Sequence, residues 1–217
     1  MASKFGSCAA AAKLGAGEVN VPDPLYLSLW FPDFSGPEML PHASSVLQQC
    51  PFSQQRPGVT YLALHPVSWN EPTTLERRFR AGIDPVQATL IAAELVHEDY
   101  AYVFEAHWDL WTPDDANANW VLTPAPVKLI AQGEQFDEGA YEQTGHIQVD
   151  FGLDSYFLQP ETALNDQTQG KIRENIAKLV EFSAAVEKNS GASTRLLWSE
   201  SEENLAQKLI ARLQRVQ

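Results

Sequence analysis

The sequence predicts an α+β protein in which helices cover one face of an antiparallel sheet. Two observations lead to this fold class. Several segments alternate apolar and polar residues with a period of two, which is typical of half-buried strands. Between them lie segments whose apolar residues recur at helical spacing, and turn residues such as Pro57 with Gly58 separate the elements.

The first half of the chain contains six predicted elements. The strands are predicted at residues 25–31, 59–67, 73–80 and 100–111, and the helices at residues 38–49 and 85–96. Asp84 supports the second helix as an N-cap, since Pro85 follows at the first helical position. The order strand, helix, strand, strand, helix, strand predicts a ferredoxin-like β-α-β-β-α-β unit over residues 23–112.

The second half extends this unit with a β-β-α-β-α series over residues 113–217. Its strands are predicted at residues 120–132, 146–158 and 193–198. An amphipathic helix is predicted between the last two, and the final helix carries apolar residues at helical spacing from Leu205 to Val216. Because composition does not change at residue 112, we expect one domain over residues 23–217, preceded by a flexible tail, residues 1–22.

The charge of the chain is strongly acidic and unevenly placed. The net charge is −13 over 217 residues, and residues 81–169 hold sixteen Asp or Glu against one basic residue, Lys128. Nucleic-acid binding depends on Lys and Arg that neutralise phosphates, so this distribution argues against a nucleic-acid partner. A surface that caps a basic partner, as an acidic inhibitor or immunity-type protein would, remains an alternative to plain solubility.

The sequence predicts a cytoplasmic protein with no membrane partner. Cys8 and Cys50 are too few for a disulfide framework, which favours a reducing compartment. The N-terminal segment lacks the apolar stretch of an export signal, since Lys13 interrupts its alanine run. No window approaches the ~18 apolar residues of a membrane span.

The strand at residues 100–111 carries the most suggestive polar residues. Glu105, His107 and Asp109 alternate with apolar residues and should share one face. Two carboxylates and an imidazole are candidates for acid–base catalysis or for a divalent metal site, with His146 as a fourth metal ligand and Asp150 nearby. No named motif indicates a metal, and an open sheet face left in water explains the same alternation.

The open face of the sheet is also a candidate ligand-binding groove. Aromatic side chains lie there beside imidazoles and carboxylates, a combination suited to a small molecule or a protein partner. The second strand contributes either the row that includes His65 or the alternate row. Burial of this face in a homodimer is an equal alternative. The predicted ligand-binding residues are Trp30, His65, Trp111, His146 and Asp150.

The densest basic cluster is Arg77, Arg78 and Arg80. Alternation on a strand directs Arg78 and Arg80 to one side and Arg77 to the other. The first two could clamp a phosphate or carboxylate, although pairing with nearby acids such as Glu76 is the commoner outcome.

Three functions stay open at this point. The leading one is a binding protein that engages a small ligand or a protein through its open sheet face. The second is an enzyme, metal-dependent or acid–base, centred on Glu105, His107 and Asp109. The third is the acidic inhibitor for a basic partner. No nucleotide-binding loop, nucleophile elbow or metal-binding motif selects among them.

Overall fold

The computed structural model describes residues 23–114, 119–158, 166–199 and 205–214. Seven strands lie in these ranges: β1 Pro24–Trp30, β2 Val59–Pro66, β3 Leu75–Ile83, β4 Tyr100–Pro113, β5 Trp120–Gln132, β6 Ile147–Leu153 and β7 Thr194–Ser199. The α-helices are α1 Gly36–Leu47, α2 Pro85–Ala93, α3 Tyr141–Thr144, α4 Asp166–Asn189 and α5 Leu205–Gln214. The predicted tail, residues 1–22, lies outside the described residues.

The seven strands form one open sheet in the order β3-β2-β4-β5-β6-β1-β7. Every neighbouring pair is antiparallel. The predicted α+β class is therefore confirmed. Strands β4, β5 and β6 follow one another as a meander, and β1 pairs with strands from the end of the chain.

The predicted ferredoxin-like unit is not confirmed, because β1 pairs with no strand of the first half. It lies between β6 and β7, where Tyr26 is opposite both Asp150 and Trp198. Strands β4, β5 and β6 separate β1 from β2, so the connection through α1 crosses them, and α1 contacts β5. The strand–helix order of the first half was predicted correctly, while the pairing partners of β1 were not.

One face of the sheet carries the hydrophobic core. Leu25, Leu27 and Leu29 of β1 are fully buried there, together with Phe104 and Trp108 of β4. Apolar residues of α1, α2, α4 and α5 belong to the same cluster. Within the described residues, no helix is long and apolar enough to cross a membrane.

Helix α4 is hydrogen-bonded to the end of β4 that extends beyond its pairing with β2. The amide of Asn175, which is 2% exposed, receives a hydrogen bond from the Trp111 backbone N–H (2.9 Å) and donates to its carbonyl (2.8 Å). The same side chain donates to the carbonyl of Tyr156 (2.9 Å). Since β2 pairs with β4 only as far as Ala106, these bonds satisfy backbone groups beyond the end of that pairing.

Candidate functional site

A row of polar and aromatic side chains crosses the open face at one level. Residues directly opposite each other in antiparallel pairs share a face, so the register defines the row. It combines cations, anions and aromatic rings, and it contains one residue from each strand in sheet order: Arg78, Tyr61, Glu105, Lys128, Asp150, Tyr26 and Trp198.

The β3–β2–β4 end of this row is distorted by bulges in both pairings of β2. Val59 pairs with Ala106 of β4 and Tyr61 pairs with the adjacent Glu105, so Thr60 is an extra residue in β2. On the other side, Val59 pairs with Ile83 of β3 and Tyr61 pairs with Arg78, so residues 79–82 of this edge strand bulge out of the regular pairing. Bulges redirect side chains, and they occur often beside functional sites.

Two glycines permit this distortion. Gly82 has φ +64° and Gly58 has φ +75°, in the left-handed region that favours glycine. A Cβ on Gly82 would lie 1.9 Å from the Pro57 carbonyl oxygen, and a Cβ on Gly58 would lie 2.4 Å from that of Ile83. The two backbones therefore approach each other more closely than any other residue type would allow.

The loop before β2 is tied to the end of β4. Ser53 donates its N–H to the carbonyl of His107 (2.6 Å), and its hydroxyl accepts from the N–H of Arg56 (3.3 Å). The Asp109 carboxylate accepts from the N–H of Gln54 (3.1 Å). These bonds hold Arg56 beside His107.

The bulges and the loop border an open pocket of about 250 Å³ on the open face. Its lining residues are Arg56, Thr60, Arg78, Phe79, Arg80, Glu105 and His107. Among the described residues, no carboxylate oxygen lies within 4.0 Å of a guanidinium nitrogen of Arg56, Arg78 or Arg80. Arg78 lies over the ring of Tyr61, 4.9 Å from its centroid, which orients this side chain along the sheet. The pocket thus combines three unneutralised cations with one imidazole and one carboxylate.

His107 forms the floor of the pocket and is 4% exposed. Its Nε2 lies 3.1 Å from Arg56 Nη1, and since a guanidinium only donates, Nε2 accepts. Thr60 Oγ1, which donates to the carbonyl of Glu105, lies 3.3 Å from His107 Nδ1 and accepts its proton. These partners assign the neutral tautomer protonated at Nδ1.

The pKa of His107 is lowered from its ordinary value. Burial is the main cause, because it disfavours the charged imidazolium, and the Arg56 guanidinium lowers the pKa further. Glu105 acts in the opposite direction, with Oε1 at 3.9 Å from Nε2. The imidazole is therefore neutral at neutral pH.

These groups are suited to holding an oxyanion. Guanidinium groups bind phosphate and carboxylate with paired, charge-assisted hydrogen bonds. The neutral imidazole and the Thr60 hydroxyl are further polar groups at the floor. Among the described lining residues, Glu105 is the one anionic side chain, and it can accept hydrogen bonds from a donor.

The structure brings together only part of the predicted acid–base or metal constellation. Glu105 and His107 line one pocket, whereas the Asp109 carboxylate turns to the loop before β2. Among the described residues, no group of three or more His, Cys, Asp or Glu side chains is arranged to hold a metal ion. The predicted ligand set of Glu105, His107, Asp109 and His146 is thus not assembled.

His146 and Trp30 lie at a different place, in an aromatic cluster near α3. The Nδ1 atom of His146 accepts from the N–H of Phe31 (3.0 Å), and its ring stacks on Phe34 at 4.2 Å. Burial, reinforced by nearby His42, lowers the pKa of His146 to about 4. Trp30 donates its indole N–H to the carbonyl of Glu142 (3.1 Å). Both side chains are held by structural partners.

The remaining predicted ligand-binding residues do not share one groove. Of the two rows left open for the second strand, the structure places the one with His65 on the open side, since Leu62 and Leu64 of the alternate row belong to the core. Its ring packs against Trp69 at 5.0 Å. Trp111 donates its indole N–H to Glu174 on α4 (2.6 Å), and Asp150 accepts from the N–H of Gly152 (2.8 Å).

Sequence reasoning did not identify Arg56, Thr60 or Phe79 as site residues. Arg56 precedes the turn at Pro57 and Gly58, where no periodic pattern reveals its direction. Gly82 was the available signal, because a glycine within a strand pattern often marks a bulge. Arg78 and Arg80 were considered as a possible anion clamp, with pairing to acids such as Glu76 as the commoner outcome, and both line the pocket.

A second cavity of about 420 Å³ lies at the other end of the β4–β5 hairpin. Proline and threonine side chains dominate its lining, together with Leu153 and Tyr156, and none of the described lining residues is charged. Its volume is larger, but its described lining lacks the charged groups that fix a ligand's orientation. We therefore place the candidate site at the arginine-lined pocket.

Comparison of the chain with protein-family models, with curated proteins and with solved structures finds no match.

Proposed function

We propose that this protein binds a small anionic molecule, through a phosphate or carboxylate group, in the pocket on the open sheet face. The observation that carries the proposal is the convergence of Arg56, Arg78 and Arg80 on one concavity with no carboxylate within 4.0 Å among the described residues. Like charges around a small pocket repel each other, and a bound oxyanion would relieve that repulsion.

The charge of the rest of the chain strengthens this proposal. A protein with a net charge of −13 gains nothing in solubility from a local cluster of cations. The neutral state of His107 agrees with a pocket lined by cations, since a charged imidazolium beside Arg56 would be unfavourable there.

The size of the pocket indicates the size of the ligand. Its volume of about 250 Å³ lies just below the ~300–1,000 Å³ of pockets that hold drug-sized compounds. We therefore expect a metabolite with few non-hydrogen atoms. Strands β2 and β4 and the tied loop keep the site preformed, which lowers the entropic cost of binding.

Isothermal titration calorimetry with pyrophosphate tests the proposal. Arg78→Ala should weaken binding about tenfold or more, because hydrogen bonds to charged groups contribute about 1.5–3 kcal/mol. Arg77→Ala is the matched control, since Arg77 is adjacent on β3, is also exposed and does not line the pocket. No binding heat with pyrophosphate, with small organic phosphates or with small carboxylates, or equal losses in both variants, would contradict the proposal.

Acid–base catalysis on the bound anion is the second candidate. The observation that favours it is that Glu105 and neutral His107 line the anion pocket with their side chains 3.9 Å apart. Turnover of p-nitrophenyl phosphate that disappears in His107→Gln would support catalysis, and absence of turnover by protein that binds pyrophosphate would leave a binding protein. The expected cytoplasmic location, the homodimer and the basic partner stay predictions.

A further inference from the structure

Glu105 is a carboxylate on the wall of a pocket that is otherwise suited to an anion. Its side chain is 24% exposed, and it lies on β4 opposite Tyr61 of β2. A carboxylate at this place repels a bound oxyanion, which a site for a simple anion would avoid. Its presence therefore carries information about the ligand, provided that the proposed anion site exists.

Within the described residues, Glu105 forms no ion pair with a lysine or an arginine. Lys128 is directly opposite on β5, yet the two side chains form no ion pair within 4.0 Å. Among the described residues the nearest basic nitrogen is Nε2 of His107 at 3.9 Å, and this atom accepts a hydrogen bond from Arg56 and carries no proton. The carboxylate is thus left with acceptor capacity directed at the pocket that it lines.

The positive and negative walls are separated by the width of the pocket. Arg78 lies on β3 and Glu105 on β4, with β2 between them. Neighbouring strands are about 4.8 Å apart, so the two backbones are about 10 Å apart. Tyr61 of β2 lies between Arg78 and Glu105 in the register, and both charged side chains line the same pocket. A ligand with an oxyanion and a cation a few bonds apart could contact both walls.

We infer that the pocket takes a small zwitterion, whose phosphate or carboxylate binds the arginines and whose ammonium group binds Glu105. The inference rests on the proposed function. Phe79 lines the pocket and is partly buried against the core, so it offers an apolar surface for the short carbon chain between the two charged groups.

Calorimetric titration with matched compounds tests this inference. Phosphoethanolamine and ethyl phosphate share the phosphate and the carbon chain, and only the first carries an ammonium group. Phosphoethanolamine should bind about tenfold more tightly, the equivalent of one charge-assisted hydrogen bond. Ethyl phosphate has the larger negative charge, so the arginines alone would bind it more tightly than phosphoethanolamine. Tighter binding of phosphoethanolamine therefore reports a favourable contact of its ammonium group. β-Alanine and propionate form the corresponding carboxylate pair.

Glu105→Gln should move the two affinities in opposite directions. Phosphoethanolamine should lose about tenfold, and ethyl phosphate should bind more tightly, because the repulsive charge is gone. A purely structural contribution of Glu105 would weaken both. Asp150→Asn is the control, since it removes one negative charge from the same face, two strands away from Glu105 and outside the pocket lining.

The outcomes separate the inference from the proposed function. If none of the four compounds and no pyrophosphate binds, the proposed function fails. If anions bind but the ammonium compounds gain nothing, or if Glu105→Gln weakens both members of a pair equally, the inference alone fails. Preference for β-alanine over propionate, without binding of either phosphate, supports the zwitterion and identifies carboxylate as its anionic group.

Discussion

Gly82→Ala should destabilise the protein through a single backbone contact at the pocket. In the native fold Gly82 has φ +64°, and an added Cβ would lie 1.9 Å from the Pro57 carbonyl oxygen and 3.1 Å from its carbon. Neither atom belongs to a flexible side chain that could turn away. The Val59–Ile83 pairing, which closes the bulge, must therefore open.

The cost has two parts. A non-glycine residue in the left-handed region costs about 1–2 kcal/mol. Opening the Val59–Ile83 pairing loses about one or two backbone hydrogen bonds, at about 1 kcal/mol each. Together these lower the free energy of unfolding by about 3 kcal/mol.

Gly152→Ala is a matched control for this substitution. Gly152 has φ +76°, but an added Cβ would meet no atom within 4 Å. The control should lose only the conformational part, about 1–2 kcal/mol. The difference between the two variants isolates the close approach of the two backbones.

Urea unfolding followed by circular dichroism measures both variants with their m-values, and pyrophosphate titration measures the pocket. We expect Gly82→Ala to lose both stability and binding, while Gly152→Ala retains binding. Stability of Gly82→Ala within about 0.5 kcal/mol of the control, the usual spread for neutral substitutions, would refute the bulge geometry.

Three further predictions concern the surroundings of the pocket and the fold. Asp109→Ala should weaken pyrophosphate binding several-fold in calorimetry, because it removes the hydrogen-bond partner of the Gln54 N–H in the exposed loop that carries Arg56. The free energy of unfolding should fall by less than about 1 kcal/mol. Unchanged pyrophosphate binding would contradict this prediction. Asn175→Ala should cost about 3 kcal/mol in urea unfolding, since it leaves three backbone groups without their partner; a loss below about 1 kcal/mol would contradict it. The urea midpoint should fall as the pH is lowered from about 6.5 toward 4, because histidines whose pKa is lowered in the native state bind protons more readily in the unfolded chain. These histidines are His42, His65, His107 and His146. A urea midpoint that rises over this pH range would contradict the prediction.

Periodicity in the sequence predicted the elements and their faces better than their arrangement. The alternation in β1 and β4 correctly separated core residues such as Leu27 and Phe104 from open-face residues such as Glu105. A period of two records which face is buried and contains no information about which strand is the neighbour. The partners of β1 lie more than one hundred residues away in the sequence, so local turn signals could not identify them.

The same distinction explains the site. Glu105 and His107 follow the regular alternation of β4, and that part of the site was predicted. Asp109 follows it too, but its carboxylate is taken by the loop before β2, a contact that no strand pattern reveals. Thr60 and Arg80 lie in bulges, where the count of residues no longer defines a direction, so their convergence on His107 depends on the tertiary fold.

Nitrogen-15 NMR of the histidine side chains during a pyrophosphate titration tests the anion pocket most directly. Free protein should show His107 protonated at Nδ1 and unprotonated at Nε2, as its contacts with Thr60 and Arg56 require. Pyrophosphate should shift the His107 resonances in a saturable manner, because it engages Arg56, while those of His65 and His146 stay in place. Stationary His107 resonances, or equal shifts at all three histidines, would contradict the pocket as the binding site.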